Sequence, residues 1–381
     1  MKPPSTMDAR LCSIRAMRRR TFLELGLAAA SGLATLDRLG RVAWADAPTF
    51  DPQPGAWRTW KVTTRVEVLK ASGTTRVWVP LPFVDTDYQT TLGDRWTGNA
   101  KTLEQHTDGK SEATVLYADF HDEPAPVVEV VSTVRTRDRA VDWSAQTVKK
   151  LHASEVRKWT APSDLAPVDG IVADTARRIT AGRTTDRERV AAVYDWVLET
   201  MWREPTVPGC GVGDVKAILE TQRYGGKCSD INGTFVALVR ALGIPARDVY
   251  GLRVAPSRFG YKSLGPSTTT VTKAQHCRAE VFFSDYGWVA MDPADVAKVA
   301  REETSDWLAA DDPIVTAVRP KLFGGWEGNW IGYNTAHDVT LPGAKHGPLG
   351  FLMYPQAETA QTRLDCLAPD EFKYTITAEP T

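Results

Sequence analysis

Between residues 225 and 293 the chain carries the pattern that most restricts its fold. Gly225-Gly226-Lys227 leads into Cys228, which opens an amphipathic segment with Ile231, Phe235, Leu238, Val239 and Leu242 on one face. Gly243 and Pro245 stop that segment, as a glycine at a helix end and a following proline do. Strands are then expected at Ala246–Val254 and His276–Phe283. A turn at Ser284–Gly287 leads into Trp288–Asp292, which Pro293 ends. A cysteine-led helix followed by a tight antiparallel hairpin is an α+β arrangement, with the helix laid on the sheet.

That geometry has chemical content. A thiol at the start of a helix faces unpaired backbone N–H groups and the positive end of the dipole, both of which favour the thiolate. The Gly-Gly step before it is expected to let a substrate backbone come close. In a hairpin turning at 284–287, the start of one strand lies beside the end of the next, so His276 and Asp292 should meet. An imidazole held by a carboxylate and facing a thiol is the set needed for nucleophilic acyl transfer. Taken singly, Asp292 reads as an Asp-Pro turn, His276 as a solvent-facing histidine and Cys228 as a small core residue. Together the three favour catalysis, with Cys228 as nucleophile, His276 as base and Asp292 as the orienting acid.

Three motifs add a resemblance. Gly226-Lys227-Cys228-Ser229-Asp230-Ile231-Asn232-Gly233 with Leu242-Gly243-Ile244-Pro245-Ala246-Arg247 resembles the nucleophile helix of the bacterial transglutaminase-like superfamily. His276-Cys277-Arg278-Ala279-Glu280-Val281 and Gly287-Trp288-Val289-Ala290-Met291-Asp292-Pro293 are similar to its His and Asp strands. The resemblance implies a papain-like α+β core over 165–300 and the same three roles. One departure stands out: the superfamily's animal members carry a Trp shortly before the nucleophile, and none lies between Gly209 and Cys228 here. That favours hydrolysis of a peptide or amide over transamidation. The Cys228 N–H is expected in the oxyanion hole, with Tyr224 and Gln222 as the side chains considered for a second donor. A protein crosslinker and a non-catalytic envelope binding module are the alternatives.

Flanking regions fill out the organisation. Residues 55–140 hold alternating, β-branched runs (Trp60–Val68, Val77–Val79, Val127–Val134) broken by Gly, Asp and Pro, which suggests an antiparallel β-sandwich. From about 165 the pattern turns helical, including a capping box at Thr185 and Glu188 and a short helix at Val215–Thr221. Residues 301–381 form an aromatic-rich C-terminal extension expected to pack on the core, with room to line or cover the cleft.

Residues 1–47 read as an export signal. Arg18-Arg19-Arg20-Thr21-Phe22-Leu23 precedes an apolar run to about Leu36 and the small residues Ala43-Trp44-Ala45-Asp46-Ala47. The Arg-Arg-x-Phe-Leu pattern points to the twin-arginine export machinery as a partner. The apolar run is roughly 15 residues, short of the ~20 that cross a bilayer, so no stable membrane anchor is expected. The mature protein should be periplasmic or secreted. A formal net charge of -1 gives no reason to expect nucleic acid as a partner; the Cys-His-Asp set and the resemblance imply a protein or peptide substrate.

No cofactor is expected. The adjacent His276 and Cys277 should point to opposite faces of a strand, and no Cys-x-x-Cys pair offers a metal site. Asp230 and Asn232 read as capping or loop-packing groups, and Arg247 as half of a structural ion pair. Of the five cysteines, Cys12 would leave with the signal. If Cys228 stays free, at most one disulfide can form among Cys210, Cys277 and Cys366.

Overall fold

The strand Arg58–Glu67 shows how the N-terminal half is built. Trp60, Val62, Thr64 and Val66 alternate inward along it, so one face is apolar and the other meets water. It pairs antiparallel with Val127–Thr136 on one side and with the distant Lys373–Pro380 on the other. Gln89–Gly98 completes this four-stranded sheet. A second antiparallel sheet runs in the order Gln356–Glu358, Thr75–Pro80, Thr114–Phe120, Thr102–Thr107. Val66, Val128, Val130 and Phe372 of the first sheet and its lead-in share one apolar cluster with Val77, Val79, Leu116 and Phe120 of the second. The structure is a computed structural model, and it describes residues 49–82, 84–368 and 372–381. The expected signal at 1–47 lies outside them.

The second half is a mixed layer of helices and strands. Its sheet runs in the order Gly287–Met291, Gln275–Phe283, Ala246–Arg253, Trp330–Asn334, all pairs antiparallel. The helix Cys228–Ala241 lies on this sheet, and every side chain from Cys228 to Arg240 is buried. Helices Gly170–Ile179, Asp186–Thr200 and Val215–Thr221 pack around it through Val172, Val190, Val193, Val197 and Leu219. Full burial of Ile231, Phe235 and Leu238 contributes about 1.5–3 kcal/mol for each side chain. The cysteine helix is therefore held as a core element, which leaves its first turn little freedom.

Local signals explain the element ends. The Thr185 hydroxyl accepts from Glu188 N at 3.2 Å while the Glu188 carboxylate accepts from Thr185 N at 3.0 Å, closing the capping box. Gly243 sits at φ +77°, a conformation that side chains resist, and ends the cysteine helix. The C-terminal stretch supplies one strand to each of the three four-stranded sheets. No helix among the described residues is long and apolar enough to cross a membrane.

Candidate active site

Asp230 explains how Cys228 comes to open its helix. Its carboxylate accepts from Lys227 N at 2.8 Å, Gly213 N at 2.8 Å and Val212 N at 3.1 Å, so one side chain ties the 211–213 loop to the helix start. A Cβ on Gly226 would lie 2.6 Å from the Asp230 Cβ, and one on Gly211 would lie 1.9 Å from its Oδ2. A Cβ on Gly225 would lie 2.8 Å from Trp202 Nε1. The glycines before Cys228 thus make room for Asp230 and Trp202, whereas the sequence suggested that they admit substrate. The capping role expected of Asp230 is what the structure carries.

The hairpin places the other two residues. Gln275–Phe283 pairs with Gly287–Met291 from Phe283 opposite Gly287 to Ala279 opposite Met291. One step further Asp292 stands level with Arg278, diagonal to His276 on the same face. His276 Nε2 lies 2.8 Å from Asp292 Oδ2 and 3.3 Å from Asp295 Oδ1. Asp292 is also the N-cap of Pro293–Glu302: its Oδ1 accepts from Asp295 N at 3.1 Å, with Pro293 in the first helical position. The Asp-Pro turn and the His-facing carboxylate are one residue serving both ends.

Around this pair the charges alternate. Arg253 binds Asp295, and Arg278 Nε lies 3.4 Å from Asp292 Oδ2. Asn232, one turn into the cysteine helix, donates to Asp292 Oδ1 at 3.1 Å and to the Cys277 carbonyl at 2.9 Å, and accepts from Ala294 N. It therefore supports the carboxylate directly, beyond the packing role its position suggested. Trp330 Nε1 donates to the His276 carbonyl at 2.8 Å. Its indole lies across Gly251, where a Cβ would come within 2.4 Å of the ring.

Cys228 is 2% exposed. Its thiol is held well below the ordinary thiol range, first by hydrogen bonds from the thiols of Cys210 and Cys277, then by His276, against the opposing effect of burial. The imidazole is raised: burial and Arg253 push it down, and Asp295 and Asp292 outweigh them. Burial, with Asp295 beside it, pushes the Asp292 carboxyl up. Asp295 goes the other way, since Arg253, His276 and Arg278 outweigh its burial. With Nε2 turned to the acids, Nδ1 is the ring nitrogen left for the thiol.

The Cys228 thiol lies 4.0 Å from the Cys210 carbonyl. Cys277 Sγ lies 3.8 Å from Ser229 Oγ. Cys210, Cys228, Cys277 and Cys366 are all free thiols, within the limit of at most one disulfide. His276, Asp292 and Asp295 offer ligand atoms within 4.8 Å of one another, close enough to share an ion. Each carboxylate, however, already faces a guanidinium, which a cation would have to displace.

A profile for the transglutaminase-like superfamily matches residues 173–293, the stretch that contains all three side chains. An uncharacterized protein of Haemophilus influenzae is 32% identical over 360 residues, covering 90% of this chain and 96% of that one. Residues 173–293 belong to the transglutaminase-like superfamily. Among solved structures it is similar to a candidate cysteine protease of Cytophaga hutchinsonii, at 14% identity and a TM-score of 0.47 over 86% of this chain and 99% of the other. It is also similar to the periplasmic domain of TgpA from Pseudomonas aeruginosa, at 15% identity and a TM-score of 0.32 over 64% and 89%.

In this transglutaminase-like chain a cavity of about 660 Å³ opens beside Cys228 and His276. The C-terminal stretch builds one wall with Tyr354, Leu367, Phe372 and Tyr374; Pro208–Cys210 and 265–275 build others. Gln222 and Tyr224, the side chains considered as oxyanion donors, do not line it. Sequence reasoning missed Asp295, Arg253, Arg278 and Trp330. Only Asp295 left a local signal, three residues after Asp292 in the first turn of a helix.

Proposed function

We propose that this protein is an exported thiol acyl-transfer enzyme that hydrolyses peptide or amide bonds. In this reading Cys228–Ala241 is the nucleophile helix, Cys228 the nucleophile, His276 the base and Asp292 its orienting acid. The two N-terminal sheets are a β-sandwich that braces the core. The observation that carries the reading is that Cys228, at the start of its helix, lines one cavity with His276, whose Nε2 is held by Asp292 at 2.8 Å.

The chemistry follows from those positions. The Cys228 thiolate attacks the amide carbonyl, and the Cys228 N–H, in a first helical turn without an intrahelical acceptor, stabilises the oxyanion. The C–N bond breaks as the His276 imidazolium gives its proton to the leaving amine. His276 then takes a proton from water, which attacks the thioester and frees the acid and the thiol. Asp292 and Asp295 stabilise the imidazolium at both stages.

Trapping tests it directly. Wild-type protein incubated with an envelope extract should yield a thioester adduct on Cys228, found by intact mass, and Cys228→Ser should not. Product formed only by added amine, with no hydrolysis, would instead establish the crosslinking alternative. A Cys228→Ala strain with no altered phenotype and no adduct would establish the binding-module alternative. Export rests on Arg19 and Arg20: replacing both with Lys should leave the protein in the cytoplasm.

A further inference from the structure

We propose that the cavity beside Cys228 holds a carboxylate of the substrate, through Lys227, Lys298 and Arg203. This rests on the acyl-transfer reading above and names the class of amide it takes: an acidic peptide.

Among the described residues the lining contains Arg203, Lys227, Arg253, Lys273 and Lys298, and neither an aspartate nor a glutamate. Arg253 is buried and bound to Asp295, and Lys273 is exposed. The other three converge from separate elements. Lys227 directly precedes the nucleophile. Arg203 stands opposite Gly226 in a short parallel pairing. Lys298 comes from the helix that Asp292 caps.

Among the described residues, the ion pairs of these three cations all go to a single carboxylate. Glu302 lies 2.8 Å from Arg203 Nε and 3.8 Å from Lys298 Nζ. Lys227 makes no salt bridge among the described residues. The cations feel one another: burial, then Arg253 and Arg203, bring Lys298 down to about 8, and burial, then Arg203, lowers Lys227. A Cys228–His276 ion pair is neutral as a unit, so it does not absorb the surplus, and acylation removes the thiolate altogether. Crowded cations in a partly desolvated cleft are relieved by a bound anion. The lining also holds Leu367, Phe372 and Tyr374, apolar and aromatic side chains suited to the rest of the peptide.

Two alkylating agents separate this role from mere support of the thiolate. Iodoacetamide and iodoacetate attack the same sulfur, and only the second carries a carboxylate. At a pH where the thiolate is fully formed, the iodoacetate-to-iodoacetamide rate ratio should exceed that of a small free thiol by about tenfold or more and fall with salt. Lys227→Gln and Lys298→Gln should each cut the ratio about threefold to tenfold with the iodoacetamide rate held. Glu302→Gln should raise it, a change that misfolding would not produce. A ratio unmoved by these substitutions, or equal losses with both reagents, overturns the proposal. A Cys228 that iodoacetamide labels only as an ordinary thiol fails the acyl-transfer reading instead. Peptides matched as Glu or Gln, each with a free or amidated C-terminus, then identify the carboxylate by protecting Cys228 from iodoacetamide. Protection that follows Glu assigns a side chain, and protection that follows the free terminus assigns the chain end. Protection by none of them overturns the proposal.

Discussion

One face of the strand Gln275–Phe283 carries two buried charge clusters of opposite character. At its start His276 meets Asp292 and Asp295, with Arg253 and Arg278 behind the acids. Four residues on, Glu280 is fully buried between Arg139 and Arg247, the latter 4.0 Å over the Trp288 ring. The Glu280 cluster is closed: its carboxyl stays ionised below the ordinary range, since Arg247 and Arg139 outweigh burial. It does not border the cavity by Cys228. The His276 cluster holds a group that can gain and lose a proton, and its open side faces a thiol. Two similar sets of ion pairs thus do different things, since one locks the sheet and the other holds a proton poised.

The sharpest way to break that contrast is to remove one member from each. Cys228→Ser should lower turnover by about a thousandfold or more while the thermal midpoint stays within a few degrees. His276→Gln and Asp292→Asn should each cost on the order of 10³–10⁴ in kcat. Glu280→Gln should instead destabilise by about 3–5 kcal/mol in denaturant unfolding, with turnover per folded molecule kept. An Asp292→Asn variant that unfolds as badly as Glu280→Gln but turns over normally would erase the distinction.

A pH series sharpens it further. With the thiol depressed and the imidazole raised, the thiolate–imidazolium pair spans the interval between their two titrations. The iodoacetamide rate should be nearly flat through neutral pH and fall only as acid protonates the thiolate. An unassisted thiol would gain about tenfold per pH unit up to about 8.5. His276→Gln should move the profile toward that steeper behaviour, and Glu280→Gln should leave it in place. The smallest effect is expected at Trp330→Phe, which deletes the donor to the His276 carbonyl. A loss of about threefold to tenfold in kcat should follow there, near the 1 kcal/mol of one buried hydrogen bond.

Much of the core was legible because its signals are local. The expected helix at Val215–Thr221 matches the observed one. The first hairpin strand ends at Phe283 as the turn chemistry of Ser284–Gly287 suggests, and the second runs Gly287–Met291, one residue earlier than the expected Trp288–Asp292. Arg247 pairs with Glu280 at 2.5 Å, as its place after Pro245 suggested. What stayed hidden depends on distant pairing. Gln89–Gly98 and Thr102–Thr107 are polar on both faces and show little alternation, so burial could not announce them. Arg253 and Trp330 reach the site only because Ala246–Arg253 lies between the His276 strand and Trp330–Asn334. Gly225 and Gly226 were visible as small residues, but the sequence does not say which neighbour needs the space.

The pairing of Arg58–Glu67 with Lys373–Pro380 also sets when this site can exist. Cys228, His276 and Asp292 emerge from the ribosome well before Phe372 and Tyr374, which close the cleft from that distant strand and its lead-in. A nascent chain can therefore carry Cys228, His276 and Asp292 before this wall of the cleft exists. That wall of the cleft waits for two distant stretches of the described fold to meet.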